Sequence, residues 1–355
     1  MNLHYDKLAF QVLLEQIHGR TGYRVDVLEK DYYVVLVLKE LAEKQKKGLK
    51  AYFKGGTALY KALKTTNRFS EDIDISVDTR GCTRTQNDKR LEQATKKYNS
   101  LERDVSNGRT NRSEIISVYS YHPVALYDEN DVLQRFGKLK VEATSFTISE
   151  PVKDLEVTPM IYDFATQNER DVLMKKYDVA PFNIKTITLE RIFIDKLFAA
   201  EAYTRRSYEP SKAFEAAKHI YDLSVLIQQP DIQALIADEK QIQRLLDIRV
   251  EEEINRLDGI SGIMPYEFSF FNECQNDRAI RHAYAIMQTQ YVFRPEDRIE
   301  YDEAIASLHV IDTRLKENRA WMMYRIKEEN NHEITFEEIE QDDFFDSWND
   351  DEMER

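Results

Sequence analysis

Apolar residues recur at three- and four-residue spacing over residues 5–19 and 24–47, and that period predicts two helices. The period then changes. Residues 51–53 read as a short strand, 57–64 as a helix, and 72–77 (Asp-Ile-Asp-Ile-Ser-Val) alternate as a strand. Side chains at i and i+2 of a strand share a face, so Ile73, Ile75 and Val77 can meet a core while Asp72 and Asp74 face outward together. Residues 84–106 are polar and read as helix, with Lys96, Lys97, Arg103, Arg109 and Arg112 trailing into a loop. Alternation returns over residues 114–124 and 134–148, with the turn-like Asp128-Glu129-Asn130-Asp131 between them, a hairpin. In its second arm Lys138, Lys140 and Glu142 share one face. From Leu189 onward the pattern is helical, first over 189–203 and again over 215–227. This order predicts an α/β (α+β) fold, with a mixed sheet and its helices in residues 1–180. An α-helical domain over 181–327 and a tail at 328–355 follow. Only Pro181 and Pro210 punctuate the passage between the first two, so that boundary is soft.

Composition sharpens this. With 32% charged and 42% hydrophobic residues, the chain has the make-up of a soluble globular protein. No apolar run reaches the length of a membrane span, and MNLHYDKLAF lacks a signal-peptide core, so a cytoplasmic protein with no membrane partner is expected. Cys82 and Cys274 stand far apart without metal-site spacing, which suits a reducing compartment. The net charge of −14 argues against nucleic acid until its location is considered. Residues 328–355 hold thirteen acids and one Arg (−12), leaving about −2 on the other 327 residues, so the body is near neutral. That tail, which includes Phe336, Phe344, Phe345 and Trp348, reads either as a solubilising end or as a segment that docks on a basic partner or groove.

The chemistry is concentrated between residues 53 and 77. Two carboxylates side by side repel one another, so Asp72 and Asp74 point to a divalent cation between them, and hard oxygen donors select Mg2+ or Mn2+. About fifteen residues before Asp72, Gly55 and Gly56 let the backbone approach a phosphate chain closely, and Thr57 adds a hydroxyl. A phosphate cradle followed by a metal-binding acid pair is a nucleotidyltransferase arrangement.

The string Lys54-Gly55-Gly56-Thr57, then Arg68-Phe69-Ser70-Glu71-Asp72-Ile73-Asp74, resembles the signature of the DNA polymerase beta-like nucleotidyltransferase superfamily, and in particular of the AbiEii/AbiGii toxin family. Members also carry EKDY upstream, here Glu29 to Tyr32, as either a structural or a functional feature. Further on they carry ERxFxxKL and YDL motifs, matched by Glu190, Arg191, Phe193, Lys196 and Leu197, and by Tyr221, Asp222 and Leu223. Tyr60 departs from the pattern, standing where many members have a small hydroxyl residue. The similarity spans roughly residues 25–230 and leaves the C-terminal helices unexplained.

The resemblance implies a polymerase-beta-like core in which Mg2+ or Mn2+ sits on Asp72, Asp74 and a third acid from a neighbouring strand, for which Glu142 is the candidate. Lys54, Gly55, Gly56, Thr57 and Lys196 would hold the phosphates of an NTP, and Lys138 and Lys140 would lie near them or pair with acids. Lys196, expected to be solvated, would neutralise the triphosphate, and Asp222 would orient it or help activate the acceptor hydroxyl. The implied reaction moves a nucleoside monophosphate from the NTP to a hydroxyl, with release of pyrophosphate. A tRNA 3′ end or another RNA is the implied acceptor. The implied role is the toxin of a toxin–antitoxin or phage-defence pair, with a cognate antitoxin as partner. A small-molecule or protein acceptor, or a non-catalytic binding protein on the same fold, remain the alternatives. Arg103, Arg109, Arg112, Arg205, Arg206, Lys212 and Lys218 flank the motifs and are expected to line an RNA groove beside Asp72.

Overall fold

In the computed structural model the chain runs through α1 (Lys7–Thr21), α2 (Val25–Lys46), β1 (Ala51–Lys54), α3 (Gly55–Lys61), β2 (Asp72–Val77), α4 (Arg84–Thr95), β3 (Glu102–Thr110), β4 (Glu114–Ser120), β5 (Lys138–Thr144) and β6 (Val152–Val157). It continues through α5 (Met160–Asp163), α6 (Gln167–Tyr177), β7 (Phe182–Ile187), α7 (Leu189–Thr204), α8 (Pro210–Leu226), α9 (Pro230–Ala237) and α10 (Glu239–Asn255). The last helices are α11 (Phe270–Glu273), α12 (Arg278–Tyr291), α13 (Tyr301–Glu317) and α14 (Arg319–Met322). The structure describes residues 1–70, 72–111, 113–125, 137–255 and 264–324. Glu71, Arg112, the turn expected at 128–131 and the acidic tail lie outside them.

The seven strands form one mixed sheet in the order β3-β4-β5-β2-β1-β7-β6. The β2/β5 and β1/β7 pairs are parallel, and the other neighbours are antiparallel. Alternation sets which side chains go inward: Phe53, Ile73, Ile75, Val141, Ala143 and Ile184 are all fully buried. Local signals fix the helix ends. Asp6 caps α1 through the Ala9 amide, Thr83 and Gln86 form a capping box on α4, and α8 opens on Pro210.

Two expectations need correction. The polar stretch 84–106 is helical only to Thr95; from Glu102 it is β3, an edge strand whose exposed, polar face hides the strand period. The division at residue 180 fails, because β7 pairs with β1 on one side and β6 on the other, so a cut there would remove an interior strand. Residues 1–324 form one compact unit. The arms of the expected hairpin do pair, as β4 with β5 in continuous antiparallel register.

The EKDY residues on α2 are buried anchors. Glu29 accepts the Val124 and Ala125 amides at 2.8 and 2.9 Å. Asp31 pairs with Lys61 at 2.7 Å and accepts the Met160 amide at 2.6 Å. Residues after 230 also have a structural task. The Phe69 amide donates to the Tyr291 carbonyl at 2.6 Å and the Phe293 amide to the Asn67 carbonyl at 3.0 Å, so the end of α12 clamps the segment that carries Arg68.

Candidate active site

Adjacent strands bring the acids together. Lys54 on β1 faces Asp74 on β2, which faces Glu142 on β5, and Asp72 faces Lys140 one step along. The Lys140 Nζ sits 3.2 Å from Asp72 Oδ2 and 3.1 Å from Glu142 Oε2, so this lysine bridges two of the acids. Lys138 turns instead to Asp104, 3.8 Å away. Burial, together with the charges of Glu142 and Asp72, pushes the Asp74 carboxyl up to about 7 against the opposing pull of Lys54 and Lys140. Asp72 and Glu142 thus flank Asp74 closely enough to oppose its ionisation.

The turn from β1 into α3 is built around Asp74. Gly55 has φ +77, and a Cβ there would overlap Asp74 Oδ2 and stand 2.7 Å from Asp74 Cγ. A Cβ on Gly56 would lie 2.9 Å from Ser70 Oγ. Both backbones are therefore bare toward a cleft of about 590 Å3 that Lys54, Asp72, Asp74, Glu142 and Lys196 also line. Thr57 points the other way. It is fully buried, and its hydroxyl donates to the Asp72 carbonyl, tying the turn to the acid strand. Tyr60 packs its ring against Phe69 and Phe293 and is buried.

The helical motifs arrive from the other side. Lys196 on α7 places Nζ 2.5 Å from Asp222 Oδ2 on α8. Arg68 grips the same carboxylate with two bonds, Nε to Oδ1 at 2.7 Å and Nη2 to Oδ2 at 2.6 Å. Burial opposes the Asp222 charge, yet Arg68 and Lys196 hold its carboxyl well below the usual carboxylate range. Burial lowers the Lys196 ammonium despite Asp222 beside it. The expectation of a solvated Lys196 is thus corrected: its side chain is only 6% exposed. Asp222 is fully buried behind it.

A family model described as "Nucleotidyl transferase AbiEii toxin, Type IV TA system" matches residues 36–307. The chain belongs to the AbiEii family. It is accordingly a nucleotidyltransferase, of the toxin type that defines type IV toxin–antitoxin systems. Among solved structures, it is similar to MenT4, a nucleotidyltransferase toxin from Mycobacterium tuberculosis H37Rv, at 15% identity and TM-score 0.46 over 90% of both chains. JHP933 from Helicobacter pylori matches at 15% identity and TM-score 0.34, over 82% of this chain and 94% of its own. No curated protein matches the chain significantly.

Several residues of this AbiEii site were not assigned roles from sequence. Arg68 stands inside the recognised string, but its partner Asp222 lies 154 positions away, so only the fold reveals the pair. Arg191, in the ERxFxxKL motif, is buried between Glu252 at 2.7 Å and Asp195 at 2.9 Å, and Arg249 joins them from α10. Tyr203 and His219 stack across α7 and α8 with ring centroids 5.5 Å apart and planes 9° from parallel, on the cleft wall. Of the basic residues expected to form an RNA groove, only Lys218 lines the cleft, and it pairs with Glu215 at 2.6 Å. Arg205 and Arg206 pair with Glu201 and Glu209. Arg112 lies outside the described residues.

Proposed function

We propose that this AbiEii protein transfers a nucleoside monophosphate from an NTP to the 3′-terminal hydroxyl of an RNA acceptor, with a tRNA 3′ end as the intended target. The observation that carries this reading is the register of Lys54, Asp74 and Glu142 on three neighbouring strands, with Asp74 seated on the bare backbone of Gly55. Gly55 and Gly56 accept the phosphate chain along their backbone, and Lys54 and Lys196 supply positive charge beside it. Thr57 and Asp222 act one step back: Thr57 fixes the acid strand, and Asp222, held by Arg68, fixes Lys196.

The crowding of Asp72, Asp74 and Glu142 on neighbouring strands, all with hard oxygen donors, would suit a divalent cation such as Mg2+ or Mn2+. Among the described residues no three such groups are placed to hold an ion by themselves, so Asp72, Asp74 and Glu142 would hold one only with further donors from outside the protein. When bound there, the ion supplies charge neutralisation and a lowered pKa for the attacking hydroxyl. The acceptor hydroxyl gives up its proton to solvent, its oxygen bonds to the α-phosphorus, the bond from that phosphorus to the bridging oxygen of the β-phosphate breaks, and pyrophosphate leaves.

In the cell, we read the protein as a cytoplasmic toxin of a toxin–antitoxin or phage-defence pair, restrained by a cognate antitoxin. Among the described residues no helix is long and apolar enough to cross a membrane. The test is to incubate the pure protein with each α-labelled NTP, Mg2+ and total cellular RNA. Label in small RNA that chelator abolishes supports the reading, whereas label appearing only in a small molecule or protein would refute the RNA acceptor.

A further inference from the structure

The cleft is a poor electrostatic trap for RNA. Six lysine and arginine side chains line it against six carboxylates, so it offers a phosphate backbone little net attraction. Positive charge gathers elsewhere, where the C-terminal ends of α2 and α4 meet. A pocket of about 300 Å3 there is lined by Lys44, Lys47, Arg90, Lys96 and Lys97, and among the described residues no carboxylate lines it. Leu49 also lines this pocket and leads into β1, whose other end delivers Lys54 and Gly55 to the cleft. The two sites thus lie at opposite ends of a four-residue strand, roughly 13 Å along the chain.

The pocket is arranged to stay positive. Lys44 Nζ donates to the Gln93 and Lys96 carbonyls at 3.0 and 2.9 Å, capping the end of α4 that would otherwise repel an anion. Burial brings the Lys44 ammonium down to about 8, with Glu40 opposing the shift and Lys97 adding to it. Lys96 pairs with Glu92 at 2.6 Å, and Arg90 reaches the Asp78 carbonyl at 2.6 Å. Lys47 and Lys97 are exposed, and their side chains make no hydrogen bond or ion pair among the described residues.

We propose that this basic pocket between α2 and α4 anchors the phosphodiester backbone of the RNA whose end enters the cleft. The inference rests on the RNA-acceptor reading above. RNA is favoured over an acidic protein because a protein interface centres on buried aromatic or aliphatic anchors. Leu49 is the sole apolar side chain lining this pocket, whereas the exposed Tyr5, Leu8 and Val12 lie along the N-terminal segment and α1. Phosphate binding asks only for lysines and arginines with free donors.

The test uses the full chain and the double variant Lys47→Glu/Lys97→Glu. Binding of a labelled RNA hairpin is measured against salt, and nucleotide transfer is measured on the hairpin and on a trinucleotide too short to reach the pocket. The variant should bind the hairpin at least about tenfold more weakly, with a log–log salt slope shallower by about 2. Transfer to the trinucleotide should be unchanged. Lys47→Gln/Lys97→Gln, which removes charge without adding repulsion, should show a smaller loss in the same direction and covers misfolding of the first variant. Unchanged hairpin affinity and slope in both variants would overturn the pocket while leaving the acceptor reading standing. Failure of the unaltered protein to label any RNA would instead sink the acceptor reading. Normal RNA binding combined with lost co-elution of the cognate antitoxin would overturn the proposal in favour of a protein-docking role.

Discussion

Lys196 Nζ lies 2.5 Å from Asp222 Oδ2, and both side chains are almost wholly buried. The lysine that reaches the cleft is therefore held by a carboxylate, and that carboxylate is held in turn by Arg68. A solvated lysine would wander among rotamers; this one has its position fixed before any nucleotide arrives.

Breaking that arrangement at its centre should be expensive. Asp222→Asn leaves Arg68 and Lys196 buried together without their counter-charge, a change that typically costs about 3–5 kcal/mol. Urea unfolding should show a loss of that order, with transfer activity lost as well. Lys196→Met leaves Asp222 still paired with Arg68, so it should destabilise less while also abolishing transfer. A Lys196→Met protein that unfolds more easily than Asp222→Asn would contradict the geometry.

Gly55→Ala should disable the site without a large loss of fold. The new methyl would collide with the Asp74 carboxylate, and φ +77 is strained for any residue with a Cβ, at a cost of about 1–3 kcal/mol. Turnover should fall well beyond what that stability loss explains. Near-normal turnover would mean that Asp74 tolerates displacement and does not need its seat on the glycine backbone.

How much of this was visible in the chain depends on how far apart the interacting residues lie. That Asp72 and Asp74 share a face was legible from strand alternation alone, whereas Glu142 was singled out because the family resemblance implies a third acid on a neighbouring strand. The register that sets Asp74 between Lys54 and Glu142 then followed from neighbouring strands. The role of Arg68 was not legible, since nothing in its surroundings announces a partner on α8. Thr57 looked like a phosphate ligand because its hydroxyl opens a helix, and only the fold shows that hydroxyl bonded to the Asp72 carbonyl. The edge strands β3 and β6 were hidden by their polar, exposed faces. With β6 and β7 both unseen, a boundary at 180 looked natural.

Glu29 should give the fold a pH-dependent element. Burial raises its carboxyl to about 7 from the usual 4.5, even though two backbone amides favour the charged form. Because the folded value is the higher one, the protonated carboxyl favours the fold. That stability is fully present below the unfolded value of 4.5 and is lost as pH rises through about 7. Up to about 3 kcal/mol would disappear across this window. Glu29→Gln, which cannot titrate, should flatten the stability profile there. Identical profiles for the two proteins would show that Glu29 is ionised in the fold throughout.

Burial and the neighbouring Asp72 and Glu142 all oppose the Asp74 charge, as expected of a carboxylate kept for chemistry at some expense to the fold. The most direct test of that role is Asp74→Asn, followed by labelled nucleotide transfer and by thermal unfolding in metal-free buffer. The variant should show no detectable transfer and a melting temperature equal to or above that of the unaltered protein, because a repelling buried charge has been removed. Undiminished transfer by a correctly folded Asp74→Asn protein would contradict that role.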